Sequence, residues 1–288
     1  MKNFSSTVGI LLFLSIGFLS IFAPLITSNP PNKQYKPTIC AKLKPFSIVY
    51  EDEKTGDISL EKKEGYKKVI FPFGTDGFGR CVFSRVLFGG RISLQIGILS
   101  LIITLILGTF IGIISGYFGK IIDMLLMRMV DTLLAFPRLF LLITLAAIME
   151  RKLSFLGIVL ILGFFSWMEV SRLIRGQVLS LKERDFVNSA KTIGASNFRI
   201  IFKHILPHLK GILLVDSTLR IASLILAEAS LSFLGLSVQP PNPSWGNIIS
   251  DGKDVLFEAW WISFFPGIFL SLTIFSLYLI GESYITKE

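Results

Sequence analysis

Charge is scarce in this chain. Asp, Glu, Lys and Arg make up 17% of its 288 residues, where soluble domains average roughly 25%. Apolar residues reach 52% and the mean hydropathy is +0.67. That balance excludes disorder, collagen-like repeats and coiled coil, and places the chain among integral membrane proteins. The 26 phenylalanines agree, because water rarely tolerates so much unburied aromatic surface. A GxxxxGK[ST] phosphate loop, a Gly-x-Ser-x-Gly elbow and an HExxH pair are all missing, so ATP and hydrolase chemistry have no seat here. Gly74 to Arg80 is glycine-rich but lacks the final spacing of GxGxxG. His204 and His208 are four apart, yet Pro207 intervenes and no Cys or acid is adjacent, which reads as a solvated face rather than a metal site. The net charge of +9 falls mostly between apolar runs and is better explained by membrane orientation than by nucleic acid.

What is present is a series of apolar runs. Val8 to Ile26 forms the centre of the first and is too long for a cleaved signal sequence, so an uncleaved span is expected. Ile92 to Phe118 is uncharged and long enough to cross roughly 30 Å of hydrocarbon. Its Gly108, Gly112 and Gly116 share one helix face, where another helix can approach closely. Ile121 to Met149 carries Asp123, Arg128, Asp131 and Arg138, with a kink expected at Pro137. Arg128 and Asp131 have the spacing of an intrahelical pair. Leu153 to about Val170 follows after a very short link, which implies a tight antiparallel pair. Gly211 to Leu236 holds Asp216, Arg220 and Glu228, and Asp216 and Arg220 are again spaced to pair. Ala259 to Ile280 is the last, making six spans.

The loops set the orientation. Ser171 to Lys210 carries eight Lys and Arg against Glu183 and Asp185. Ser237 to Glu258 has Lys253 against Asp251, Asp254 and Glu258. The basic loop is therefore expected in the cytoplasm, with both termini on that side and residues 27–91 outside. Cys40 and Cys81 then share an oxidising compartment, where a disulfide or two independent thiols are both open readings.

Within the basic loop, Val187, Ala190, Gly194, Phe198, Ile201 and Ile205 recur every three or four residues, the pattern of an amphipathic helix or helical pair. Ser196 is placed to cap a second helix after Gly194 and Ala195, and Pro207 is expected to close the unit. Such a short element cannot span a bilayer. It suits either a lipid surface or a groove on a cytoplasmic partner.

Four ordered motifs carry a family resemblance. Phe186 to Pro207 (FVNSAKTIGASNFRIIFKHILP) resembles the EAA loop of the membrane subunits of ATP-binding-cassette importers. Thr75 to Gly97 (TDGFGRCVFSRVLFGGRISLQIG), Met127 to Pro137 (MRMVDTLLAFP) and Glu228 to Gly246 (EASLSFLGLSVQPPNPSWG) resemble the C-type permease of the dipeptide and oligopeptide branch. The resemblance covers about Gly74 to Gly281. It departs at Asn188, where the family commonly has Glu, at Ser189, where it commonly has Ala, and at Cys81, where Asp is usual.

The resemblance implies an all-α integral membrane protein with six transmembrane helices of the type I ABC importer permease fold and a long extracytoplasmic loop after helix 1. Residues 1–26 would hold the N-terminal segment and first span, 27–91 the outside loop with an unassigned insertion, and 92–288 the transmembrane domain with its coupling loop at 171–210. The implied coupling positions are Asn188, Ser189, Ala190, Gly194, Ala195, Leu206 and Pro207. The implied partners are a second, B-type permease subunit completing a heterodimeric pore, two ATPase subunits and an extracytoplasmic peptide-binding protein, in the lipid bilayer of a bacterial inner membrane. No cofactor, metal or nucleic acid is implied. A secondary transporter or channel is the alternative. The branch carries dipeptides, longer oligopeptides, cell-wall peptides and, in some relatives, nickel.

Overall fold

The computed structural model describes residues 2–52, 55–148, 154–236, 238 and 241–285. Helix α1 (Lys2–Ile21) is followed by a short turn of helix, α2 (Ala23–Ile26), and by a second, α3 (Pro37–Cys40). Strands β1 (Ser47–Asp52), β2 (Ile58–Ser59) and β3 (Tyr66–Phe71) then form an antiparallel sheet in the order β2-β1-β3. The sheet occupies the stretch that matched no motif. Its alternating Val49, Val69 and Phe71 are buried with Tyr35, Cys40 and Cys81. Both cysteines are free thiols, so the disulfide that a shared loop allowed is not formed. Burial pushes the Cys40 thiol up to about 11.

Helix α4 (Val82–Phe118) begins well before the uncharged run that started at Ile92. Its first turns carry Arg85 and Arg91, which interrupt the apolar pattern without interrupting the helix. Arg85 lies 3.0 Å from Asp251, and Arg80 bonds both Asp76 at 2.6 Å and Asp251 at 2.9 Å. One nearby acid, Asp76, and one from far along the chain, Asp251, thus neutralise the helix start. Burial raises the Asp251 carboxyl above its ordinary value, against the lowering effect of Arg85 and Arg80.

The third run is two helices, α5 (Lys120–Leu134) and α6 (Arg138–Ile148), broken beside Pro137. Asp131 faces Arg172 at 3.7 Å instead of pairing with Arg128, because its partner comes from another helix. The fourth run is also split, into α7 (Phe155–Phe164) and α8 (Trp167–Leu181), and reaches beyond Val170. The link expected at 149–153 lies outside the described residues. The fourth run packs most extensively on α4, in parallel. Ser100 Oγ donates to Val159 O at 3.2 Å and Thr104 Oγ1 to Gly163 O at 3.1 Å. Farther along, a Cβ on Gly108 would lie 2.5 Å from Val170 Cβ, and one on Gly112 would lie 2.7 Å from Ser171 O. The glycine face therefore brings two helix backbones together, as small residues do in membranes.

The chain continues through α9 (Asp185–Thr192) and α10 (Asn197–Arg199) to α11 (Lys210–Phe233), α12 (Trp245–Gly252) and α13 (Trp261–Ile285). The helical runs follow the expected order. Among the described residues, Val82–Phe118, Phe155–Leu181 and Trp261–Tyr284 are long and apolar enough to cross a membrane. Helices α1 and α13 pair antiparallel: Ser283 Oγ donates to Ser6 Oγ at 3.1 Å, and a Cβ on Gly9 would meet Ser276 O at 2.8 Å. Helix α12 starts with a capping box between Ser244 and Asn247. Buried Trp245 donates from Nε1 to Val86 O at 3.0 Å, fastening α12 to α4.

Candidate functional site

The candidate site is the turn between α9 and α11. Asp185 opens α9 with negative charge against the helix dipole, and Lys191 sits in its last turn. Gly194 then reverses the chain with φ +78°. Ala195 N donates to Ala190 O at 3.0 Å and Gly194 N to Lys191 O at 2.9 Å. These two bonds make a Schellman cap, which satisfies the last helical carbonyls and requires the left-handed conformation at Gly194. The turn is therefore fixed by hydrogen bonds. As expected, Ser196 caps the next helix, its Oγ accepting from Arg199 N at 3.4 Å.

Pro207 does not close the unit. Residues 200–205 form a π-turn and 206–209 a 3₁₀ turn, and the chain remains helical into α11. A proline ring in an ordinary α-helix clashes with the carbonyl four residues earlier, and a wider preceding turn relieves that clash.

The expected coupling residues divide by exposure. Asn188, Ser189 and Gly194 are exposed, and Ala195 is half-buried beside them. Asn188 Nδ2 donates to Glu183 O at 3.2 Å, holding the amide against the turn that precedes α9. Ala190 faces inward at 4% exposure, with Val187, Ile200, Ile205 and Leu209 around it. Half-buried Leu206 and exposed Pro207 lie on the returning segment, next to His208, which stacks on Phe186 at 4.7 Å. His208 Nδ1 also lies 2.6 Å from His204 O, so the histidine pair serves the turn. No group of three potential metal ligands occurs among the described residues.

The sequence reading missed Ile193, which is 85% exposed at the tip, with Phe198 at 71% behind it. Ile193 lies among the most exposed apolar side chains of the described residues, which makes the turn a candidate contact surface. Gly194, Ala195, Arg199, Lys203 and His204 line a cleft of about 280 Å³ beside Ile193. The signal was available, since a residue just before a helix-ending glycine occupies the cap.

Behind the tip, the turn is fastened to the spanning helices. Val187, Ala190, Ile200 and Ile205 share one core with Val170, Ile174 and Val178 of α8 and Ile113 of α4. Tyr117 OH donates to Asn197 Oδ1 at 2.9 Å and Lys182 Nζ to Gly116 O at 3.2 Å. Arg175 grips Asp123 through two bonds of 2.5 and 2.6 Å. Farther along, Arg220 bonds Asp216 at 2.7 and 2.8 Å and Glu169 at 2.8 Å, confirming the intrahelical pair and adding a second acid. Buried Glu228 accepts from Ser93 at 3.0 Å and Ser232 at 2.7 Å. These charges tie helices together.

Residues 108–284 match the family described as binding-protein-dependent transport system inner membrane component. A peptide transport system permease protein of Brucella abortus, named as putative, is 36% identical over 282 residues, covering 98% of this chain and 86% of that protein. The dipeptide transport system permease protein DppC of Alkalihalophilus pseudofirmus is 36% identical over 98% of this chain and 84% of its own length. The oligopeptide transport system permease protein OppC of Haemophilus influenzae is 41% identical over 82% of this chain and 75% of its own length. In fold, the chain resembles one from the MetNI methionine ABC transporter in an inward-facing conformation. The TM-score is 0.56 at 14% identity, covering 70% of this chain and 95% of that one.

Proposed function

The chain belongs to the binding-protein-dependent transport system inner membrane component family, and on that premise we propose that it is the permease subunit of an ATP-driven importer of short peptides. The named functions of its relatives support peptides as the cargo. In this reading a second, B-type permease completes the pore, two cytoplasmic ATPase subunits drive it and an extracytoplasmic protein delivers peptide.

The observation that carries the coupling role is the capped tip with Ile193 outward and Ala190 inward. Asn188, Ser189, Ile193 and Gly194 enter a groove on the ATPase. Val187, Ala190 and Ile205 transmit its displacement to α4 and α8, and the unbroken helical path from Asn197 transmits it to α11. Alternating which side the pore opens to then requires only that the ATPase pair bind the two arrangements unequally.

Both termini and the tip lie in the cytoplasm, and residues 27–91 lie outside. Two links support this arrangement. Trp261 Nε1, at the start of α13, donates to Thr75 O ahead of α4 at 3.1 Å. At the other end of α4, Tyr117 holds Asn197 of the turn. The basic loop supports the same side.

The test is uptake of labelled peptide by the complete complex in proteoliposomes. Ser189→Trp, on an exposed helical position, should leave ATP hydrolysis in place while uptake falls severalfold. Lys62→Ala in the outer loop should import normally. Normal uptake by Ser189→Trp with the ATPases bound would sink the coupling role. Uptake that persists with inactivated ATPases and intact ion gradients would favour a secondary transporter instead.

A further inference from the structure

Strand β3 forms one edge of the outer sheet, and that edge is open. In its pairing with β1, Ile48 lies opposite Ile70 and Tyr50 opposite Lys68. Ile70 O points away from β1, because Asn29 Nδ2 donates to it at 3.1 Å from outside the sheet. Backbone direction alternates along an antiparallel strand. The N–H of Ile70 and both the N–H and C=O of Lys68 therefore face the same outer side, and among the described residues no hydrogen bond takes them.

Lysines on an edge strand commonly serve only to repel other strands. Here the edge faces a second wall. Residues 26–30 run alongside it and leave a groove of about 360 Å³. That wall is held in place: Tyr35 OH donates to Asn29 Oδ1 at 3.1 Å, and Thr27 Oγ1 lies 2.6 Å from Ser84 Oγ at the start of α4. Asn29 already occupies the Ile70 carbonyl, which leaves the Lys68 N–H and C=O and the Ile70 N–H for an added strand. Lys68 lines the groove with Glu51 and Lys33, themselves paired at 2.5 Å.

We propose that this groove binds a short peptide in extended form, which adds to the edge of β3 through its own backbone. Main-chain pairing accepts many sequences, as a peptide site of broad range requires. Lys68 suits the peptide carboxylate, while Lys33 and Glu51, already paired with each other, add polar lining without net charge. The volume falls within the usual range for small-molecule sites and limits the occupant to a few residues. The assignment rests on the peptide-import reading.

The probe is trialanine, added to the complete complex in phosphatidylcholine nanodiscs and followed by hydrogen exchange over β3. Trialanine should slow exchange at the Lys68 and Ile70 amides. Lys68→Pro removes an outward donor while leaving the ladder to β1 intact, and should weaken binding at least severalfold more than Lys68→Ala, which removes the ammonium alone; equal binding by the two variants would overturn the backbone pairing. Trialanine methylated on its central amide tests the same pairing with unaltered protein and should bind severalfold more weakly. Unchanged exchange at saturating trialanine would overturn the assignment. So would slowing that appears only with phosphatidylglycerol in the discs and no peptide, which would make the groove a headgroup site. Peptide uptake by the unaltered complex is measured in parallel. Uptake without protection at β3 removes the groove alone, whereas protection without ATP-driven uptake removes the import reading alone.

Discussion

Replacing Gly112 by alanine should separate two helices that now touch backbone to backbone. The new Cβ would lie 2.7 Å from Ser171 O, 2.8 Å from Ile174 Cβ and 3.0 Å from Ile174 Cγ2. The first of these is main chain, so no side-chain rotation relieves it. Restoring ordinary contact at 3.4 Å requires α4 and α8 to part by at least about 0.7 Å. Overpacking of this kind costs roughly 1–3 kcal/mol. Alanine's better helix propensity returns at most about 1 kcal/mol, so the net effect is destabilising. Gly176→Ala, elsewhere on α8, meets nothing within 4 Å and should be neutral or slightly stabilising. Gly108→Ala added to Gly112→Ala should cost less than the sum of the singles, because one displacement serves both. The assay is the fraction of intact complex remaining after heating, read by size-exclusion chromatography. Equal thermal midpoints for Gly112→Ala and Gly176→Ala would refute the close-packed seam.

Three further outcomes follow from individual contacts. Arg220→Gln strips the partner from Asp216 and Glu169 and should destabilise by about 3 kcal/mol, the low end for broken buried pairs because Glu169 is half exposed; an unchanged midpoint in the same heating assay would contradict it. Gly194→Ala places a side chain at φ +78° and should cost about 1–2 kcal/mol locally and lower uptake per ATP, whereas Gly194→Asn should retain most coupling. Identical uptake by the two variants would remove the cap from the mechanism. Cys40, fully buried with its thiol pushed up to about 11, should resist maleimide at pH 7.5. Thiolate at an accessible site grows about tenfold per pH unit below that value, but burial should keep native labelling slow until the fold opens. Rapid labelling of native protein at pH 7.5 would show that the outer core is open.

The order of apolar runs was legible because span length and composition are local properties. So was the Asp216 and Arg220 pair, which needs only the spacing of one helix turn. Asp131 was misassigned for the complementary reason: its partner Arg172 belongs to a helix far along the chain. The early start of α4 was hidden because Arg85 breaks the apolar pattern, and its neutralising acids lie outside the run. Strands β1 and β3 escaped notice although SIVYED and YKKVIF are rich in strand-forming residues, since each is short and pairs across a long loop. In the candidate site, the three-and-four spacing marked Val187, Ala190 and Ile205, which are buried, but also Gly194 and Phe198, which are exposed because the chain reverses between them. It did not separate the part turned toward the spanning helices from the part left for a partner, because both fall on neighbouring positions of one short helix. Pro207 shows the limit of a local rule, for a π-turn accommodates the ring without ending the helix.

The parallel seam also constrains how a gate here can work. Two helices whose backbones meet through Gly108, Gly112 and Gly116 have no side-chain layer between them to slide on. They must travel as one rigid slab, and bending has to occur elsewhere. The break at 135–137 between α5 and α6 is the natural fulcrum, with Arg138 on its α6 side held at 2.8 Å to Ser166, between α7 and α8.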